Sequence, residues 1–151
     1  MRTKRKKKVK LESKVKIRRR LMRLWLARVR EDWRNMCAVC CLKSGDVLPN
    51  GKKTILDCHH IESRNNGTLR YNPMNGILLC KSHHKFGRDS FHRSAVWAMD
   101  WLRNNHPETI EYIIALRNQI PPDLNNREVL ARIEDSLKRR RKGRGLPLGK
   151  A

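Results

Sequence analysis

Between residues 14 and 35 the apolar side chains Ile17, Leu21, Leu24, Trp25, Val29 and Trp33 recur at helical spacing, with Arg18, Arg19, Arg20, Arg23, Arg28 and Arg30 among them. That period predicts an amphipathic helix. The period then shortens. Lys53 to Ile61 reads as a short strand running into His59-His60, Asn65-Asn66-Gly67 forces a turn, and Asn72 is extended because it precedes Pro73. Gly76 to Leu79 forms a second apolar strand, and Cys80 to about Phe86 starts a helix that Gly87 ends. The second half returns to helical spacing. Phe91, Ala95, Val96, Met99 and Leu102, with Trp97 and Trp101, predict a helix over 91–104, and Pro107 opens another to about Asn118. Asn125, in a capping box with Glu128, starts a last helix over 126–142. The four tryptophans lie on apolar stripes and are read as core rather than base-stacking platforms. Two strands among flanking helices place the fold in the α+β class.

Charge changes the picture at both ends. Residues 1–30 hold fifteen Lys/Arg against one acid, residues 138–151 hold seven and no acid, and the stretch between them is near neutral, within a chain of net charge +22. Each cation that neutralises a phosphate releases a condensed counterion, so a neutral core between cationic arms suits a nucleic-acid partner. The first arm, residues 1–13, has too little apolar surface to offset the entropy of ordering and is expected to be disordered without a partner. No apolar run approaches the roughly 18 residues of a membrane span, and the first residues are too charged for a signal peptide. An intracellular, cytoplasmic setting is therefore expected, where five cysteines serve as metal ligands or reduced thiols rather than as disulfides.

A Cys-Cys pair and a Cys-His pair share a spacing. Cys37-Ala-Val-Cys40 and Cys80-Lys-Ser-His83 each separate their candidate ligands by two residues. Three thiolates and one imidazole make a closed tetrahedral zinc site of the structural kind. Cys41 can substitute for Cys40 on this reading, and Cys58 is read as a small buried strand residue.

The stretch 58–84 also holds His59-His60, Asn75 and His83-His84. The spacing from His60 to Asn75 to His84, with His60-Ile61-Glu62-Ser63-Arg64, Arg70-Tyr71 and the run from Asn75 through Cys80 to His84, resembles the HNH endonuclease family and its ββα-metal fold. It is most similar to phage-type recombination nucleases of the NinG/Rap kind. The resemblance rests on residues 37–84. It implies a small zinc-stabilised ββα-metal core in which His60 is the general base and Asn75 keeps His60 oriented. His59 and His84 would hold a catalytic divalent ion, Mg²⁺ or Mn²⁺. The implied activity is hydrolysis of DNA to 5′-phosphate and 3′-hydroxyl ends, in phage or mobile-element recombination, repair or packaging. Many members carry a third metal ligand one helical turn after the helix histidine. Arg88 stands there, leaving Asp89 or His92 to supply it. Adjacent helical residues point about 100° apart, so His83 and His84 can serve different ions.

Arg64, Arg70, Lys81 and Lys85 flank this stretch and are candidate clamps for the DNA backbone, together with Arg18, Arg19 and Arg20 on the first helix and Arg139, Arg140 and Arg141 at the end of the last. The expected organisation is a basic arm (1–13), a basic helix (14–35), the nuclease core (36–92), a helical region (93–142) and a tail (143–151). The alternative is a non-catalytic, zinc-stabilised DNA- or RNA-binding protein, including one of ribosomal type.

Overall fold

The computed structural model describes residues 11–139. Its first element is helix α1, Lys14–Asp32, entered through Ser13, whose hydroxyl accepts the Lys16 amide. Ile17, Leu21, Trp25 and Val29 are buried at four-residue intervals, and Trp33, the next in that series, is buried just past the helix end. Burying side chains of this size contributes roughly 1.5–3 kcal/mol each. The helix stops three residues before the expected Asn35, because Arg34 and Asn35 take positive φ and turn the chain into the cysteine knuckle.

Strands β1 (Leu56–His60) and β2 (Gly76–Cys80) pair antiparallel, with Leu56 opposite Cys80 and His60 opposite Gly76. β1 is shorter than the span 53–61, since Lys53 instead bridges Val47 in the preceding loop. Every residue of β2 is buried, and α1 covers the sheet and the 3₁₀ turn Pro73–Asn75 that leads into β2. Two indole N–H groups fix that contact: Trp25 donates to the Asn72 carbonyl at 2.9 Å and Trp33 to the Gly76 carbonyl at 3.0 Å. Asn72 is extended as its proline neighbour requires, with φ −79° and ψ 122°.

After β2 the chain makes a single π-helical turn, Ser82–Phe86, rather than an α-helix, and Gly87 ends it. Helix α2 (Ala95–Asn105) begins four residues later than the pattern predicts. Ser94 caps it by accepting the Trp97 amide, while Phe91 and His92 instead bond back to the carbonyls of His83 and His84. Helix α3 (Pro107–Arg117) follows with Pro107 at its first turn, and α4 (Arg127–Lys138) packs on α1. The cap of α4 is Asn126, not Asn125. The Asn126 side chain takes the Glu128 and Val129 amides, and Asn125 is engaged by Arg18. α4 ends at Lys138 with Arg139 as its cap, and Arg140 and Arg141 lie outside the described residues, as does most of the basic arm. Trp25 and Trp33 are buried in the core, the half-buried Trp101 packs against it with His106 between its ring and Trp33, and Trp97 is half-buried beside Phe91 and His83.

Gly76 is where α1 and the sheet come closest, since a Cβ there would run into Val29 and the Trp25 ring. Gly76→Ala should therefore destabilise the protein by about 1–3 kcal/mol, the usual range for overpacking a filled contact. A urea melt of the two proteins measures it, and an unchanged midpoint would show that α1 yields at this point.

Candidate metal centres

The knuckle after α1 brings Cys37 and Cys40 toward the far end of β2. Cys37 donates its amide to the Leu42 carbonyl, and the Ala38 amide reaches the Leu78 carbonyl at 2.8 Å, tying the knuckle to the sheet. The ligand atoms of Cys37, Cys40, Cys80 and His83 then lie within 4.8 Å of one another. Cys40 Sγ is 3.9 Å from Cys80 Sγ, and His83 Nδ1 is 3.3 Å from Cys80 Sγ and 3.7 Å from Cys37 Sγ. Ligands at tetrahedral zinc distances sit about 3.8 Å apart for two sulfurs and about 3.5 Å for sulfur and nitrogen, so the four atoms fit that ion. The Cys37 thiol is pulled well below its usual pKa by the hydrogen bond with Cys80, which keeps the proton, and burial opposes the shift. A thiolate is the form a metal binds.

The choice between Cys40 and Cys41 is resolved by backbone. Cys41 takes φ 59° as its amide closes the turn onto the Cys37 carbonyl, and it is not among the four clustered ligands. Cys58 is half-buried on β1, its thiol facing the Leu26 carbonyl and pushed up to about 11 by burial.

A second cluster lies on the other side of the π-turn. Ligand nitrogens of His59, His84 and His92 fall within 4.8 Å of one another, with 3.2 Å between the Nε2 atoms of His84 and His92. Imidazoles bound to one transition-metal ion at about 2.0–2.1 Å stand at a similar separation. His92 is thus brought to the two expected ligands, while Arg88 and Asp89 are not. With Gly87 extended, residue 88 no longer follows His84 on a helix, and the exposed Arg88 pairs with Asp89 at 3.6 Å. The chain loops back so that the His92 amide bonds the His84 carbonyl at 3.1 Å, carrying the His92 ring with it.

Asp57 is the residue that the sequence pattern did not single out. Strand alternation puts Asp57 and His59 on one face of β1. The Asp57 carboxylate sits 3.1 Å from His84 Nδ1 and accepts the Lys81 ammonium at 2.6 Å. Burial raises its pKa, but the hydrogen bonds from Lys81 and His84 outweigh that and hold the carboxyl below its ordinary value. An ionised partner at Nδ1 keeps the proton there and leaves Nε2 of His84 as a lone-pair donor facing His92. Burial, reinforced by the neighbouring imidazoles, pushes the His59 pKa down to about 4. His84 is also lowered by burial, against the pull of Asp57. Neutral imidazoles are the metal-binding form.

His60 is not in this cluster. Its ring stacks on Trp25 at 3.9 Å and 6°, and its Nε2 is 2.9 Å from the Arg70 carbonyl oxygen. Burial lowers its pKa, and Arg64 and Arg70 add to that, against the hydrogen bond to the Arg70 carbonyl. Asn75 is fully buried and spans the loop that follows His60: its Oδ1 accepts the Glu62 amide at 2.6 Å, and its Nδ2 donates to the carbonyls of Glu62 and Leu69.

The candidate DNA-backbone cations separate into two groups. Arg18 donates to the Leu124 carbonyl and to Asn125, Arg20 bridges Glu12 and Glu134, and Lys81 is on Asp57. Arg19, Arg64, Lys85 and Arg139 are exposed, and Arg70 is half-buried with its guanidinium over the Tyr71 ring. None of the described helices is long and apolar enough to cross a membrane. No protein-family profile, curated protein or solved structure matches the chain.

Two outcomes follow from these geometries. Cys37→Ala should lose one equivalent of tightly held zinc together with cooperative folding, while Cys41→Ala should keep both. Metal analysis and a thermal melt of each variant read the difference, and zinc loss from Cys41→Ala would reverse the ligand assignment. Asp57→Asn keeps the size of the side chain but removes its charge, and should weaken divalent-metal binding at the three-histidine cluster about 10- to 100-fold. Titration with Co²⁺, followed by its absorbance, measures this. An unchanged affinity would remove Asp57 from the site.

Proposed function

We propose that this protein is a metal-dependent endonuclease of the HNH type, which hydrolyses phosphodiester bonds in DNA, and that Cys37, Cys40, Cys80 and His83 hold a structural zinc ion. The reading is carried by one observation: His59, His84 and His92 converge from a strand, a turn and a returning loop, with Asp57 behind His84 and His60 next in the chain. Burial lowers the pKa of His59 and His84, which favours the neutral, metal-binding form of both rings, and the exposed His92 completes the set from the solvent side. An all-nitrogen set suits Co²⁺, Ni²⁺ or Zn²⁺ better than Mg²⁺ or Mn²⁺, which favour oxygen ligands and retained water.

His60 would be the general base. Donation from Nε2–H to the Arg70 carbonyl puts its proton on Nε2 and leaves the Nδ1 lone pair to accept a proton from water. Its lowered pKa keeps the ring neutral near pH 7. Asn75 would act without touching substrate, by holding the loop that carries the Arg70 carbonyl. A divalent ion on the three histidines would supply positive charge to the phosphate oxygens and the leaving 3′ oxygen. Arg64, Lys85 and Arg19 are free to meet the DNA backbone, along with the charge-rich terminal segments. The resemblance to phage recombination nucleases supports a role in recombination, repair or packaging.

A second reading, a zinc-stabilised nucleic-acid-binding protein without catalysis, is favoured by the stacking of His60 on Trp25, a packing role that requires no chemistry. Supercoiled plasmid separates the two. Tested with Mg²⁺, Mn²⁺, Co²⁺, Ni²⁺ and Zn²⁺ in turn, the wild type should nick it with at least one of them, and EDTA should abolish nicking. His60→Ala and His92→Ala should each lose about 100-fold or more, and Arg88→Ala should stay active. Equal nicking by His60→Ala would end its role as base, and a wild type inert with every metal would favour the second reading.

A further inference from the structure

Between the metal-site residues His84 and His92 the chain forms a small projecting loop. Its ends are stitched together: the Gly87 amide bonds the Ser82 carbonyl at 2.8 Å, Phe91 bonds the His83 carbonyl at 2.9 Å, and His92 bonds the His84 carbonyl. The outer part carries Phe86, whose relative exposure of 69% is unusual for an aromatic ring in a chain with only two phenylalanines. The other one, Phe91, packs edge-on against His59, Trp97 and Trp101. Phe86 packs against no ring in this way among the described residues.

Its backbone is nonetheless fixed. The Arg93 guanidinium donates to the Phe86 carbonyl at 3.2 Å, and a side chain at position 87 would run into the Ser82 carbonyl and hydroxyl, so Gly87 permits the tight closure. Lys85 precedes Phe86 in the chain, Arg88 follows it by two residues and Arg93 reaches its carbonyl, all three exposed, with Asp89, paired to Arg88, the one acid in this loop. An exposed ring with cations before and after it in the chain suits a base with its phosphates better than an apolar protein groove. The ring is a flat surface every base can stack on, and the cations meet the charge on either side of that base.

We infer that Phe86 is a stacking platform for one unstacked nucleotide beside the scissile phosphate, so that the substrate is DNA with unpaired bases at the cut rather than continuous duplex. This deepens the nuclease reading above and rests on it. A base inside an intact duplex is covered on both faces by its neighbours and offers Phe86 nothing to stack on, whereas a gap, a bulge or a single-stranded end does. Phe86 is two residues from His84 on the same turn, so on this proposal the phosphate of a base seated there meets the three-histidine cluster.

The test compares the full-length, zinc-loaded wild type with Phe86→Ala and Phe86→Trp on two labelled DNAs, a continuous duplex and the same duplex with a two-nucleotide single-stranded gap. Binding is read by anisotropy without added catalytic metal. A 2-aminopurine in the gap reports stacking by loss of its fluorescence. Since Phe86 is exposed, its replacement leaves the core intact, which a thermal melt checks. The wild type should prefer the gapped DNA and quench the 2-aminopurine. Phe86→Ala should lose roughly 10- to 100-fold in affinity for the gapped DNA, along with the quench, while its duplex binding changes less than about twofold. Phe86→Trp should retain both. Equal losses on the two DNAs, or no loss on either, would overturn the platform while leaving cleavage of plasmid, and hence the nuclease reading, standing. A wild type that neither binds nor cleaves any DNA would overturn both.

Discussion

The close approach of α1 to Gly76 is the constraint on which the rest of the fold depends. A two-stranded sheet is at best marginal by itself. Here it is held because one helix presses a tryptophan and a valine onto the single position with no side chain, and sends two indole N–H groups to carbonyls on either side of the 3₁₀ turn. With residues 72–76 fixed, Asn75 has its place, and through Asn75 so does the loop whose Arg70 carbonyl meets His60. Trp25 completes the arrangement by lying flat against the His60 ring. The helix that looks like a basic docking element from its arginines is, on its inner face, the support of the histidine strand.

The other end of β2 leads into two ligand clusters at once. Cys80 closes the strand and joins the four-ligand site, and the residues that follow direct His83 to that site and His84 to the three-histidine group. Successive residues on a helical turn point about 100° apart, and the short π-turn provides that divergence before Gly87 ends it. Phe91 and Trp97 fill the space between the two clusters, Phe91 against His59 and Trp97 stacked near His83 at 6.3 Å. Loss of an ion from the four-ligand site would therefore be felt at His84 through one peptide bond, and at His59 through two aromatic rings.

Much of this was legible in the sequence, and the parts that were not have identifiable causes. The four-residue rhythm of Ile17, Leu21, Trp25 and Val29 is a local signal, as is the shared two-residue gap of the Cys-Cys and Cys-His pairs, and both correspond to what the structure brings together. The third histidine was recognisable only as one of two alternatives. Its selection over Asp89 depends on Gly87 leaving the helical region, and on amides from residues 91 and 92 returning to residues 83 and 84. Asp57 was missed because its role comes from a neighbour 27 residues away. The period-two relation to His59 was the one signal that could have found it. The cap of α4 was misplaced by one residue because Asn125 and Asn126 are equally good caps in isolation, and Arg18, over 100 residues upstream, occupies the first.

The placement of cations bears on how a polyanion would be met. Arg18 and Arg20, two of the candidate phosphate ligands on α1, are used within the fold to tie α1 to α4 and to the loop before it. An arginine already bridging two carboxylates has little to gain from a phosphate, since it would give up bonds of the same charge-assisted kind. Cations without such partners, Lys85, Arg93 and Arg64 among them, lie on the segments that carry His84, His92 and the loop after His60. Arg18 and Arg20 thus serve cohesion between the helices, while Arg19 on α1 and Lys85, Arg93 and Arg64 near the histidines stay exposed. A polyanion drawn to Lys85, Arg93 and Arg64 would be drawn toward the three-histidine cluster as well.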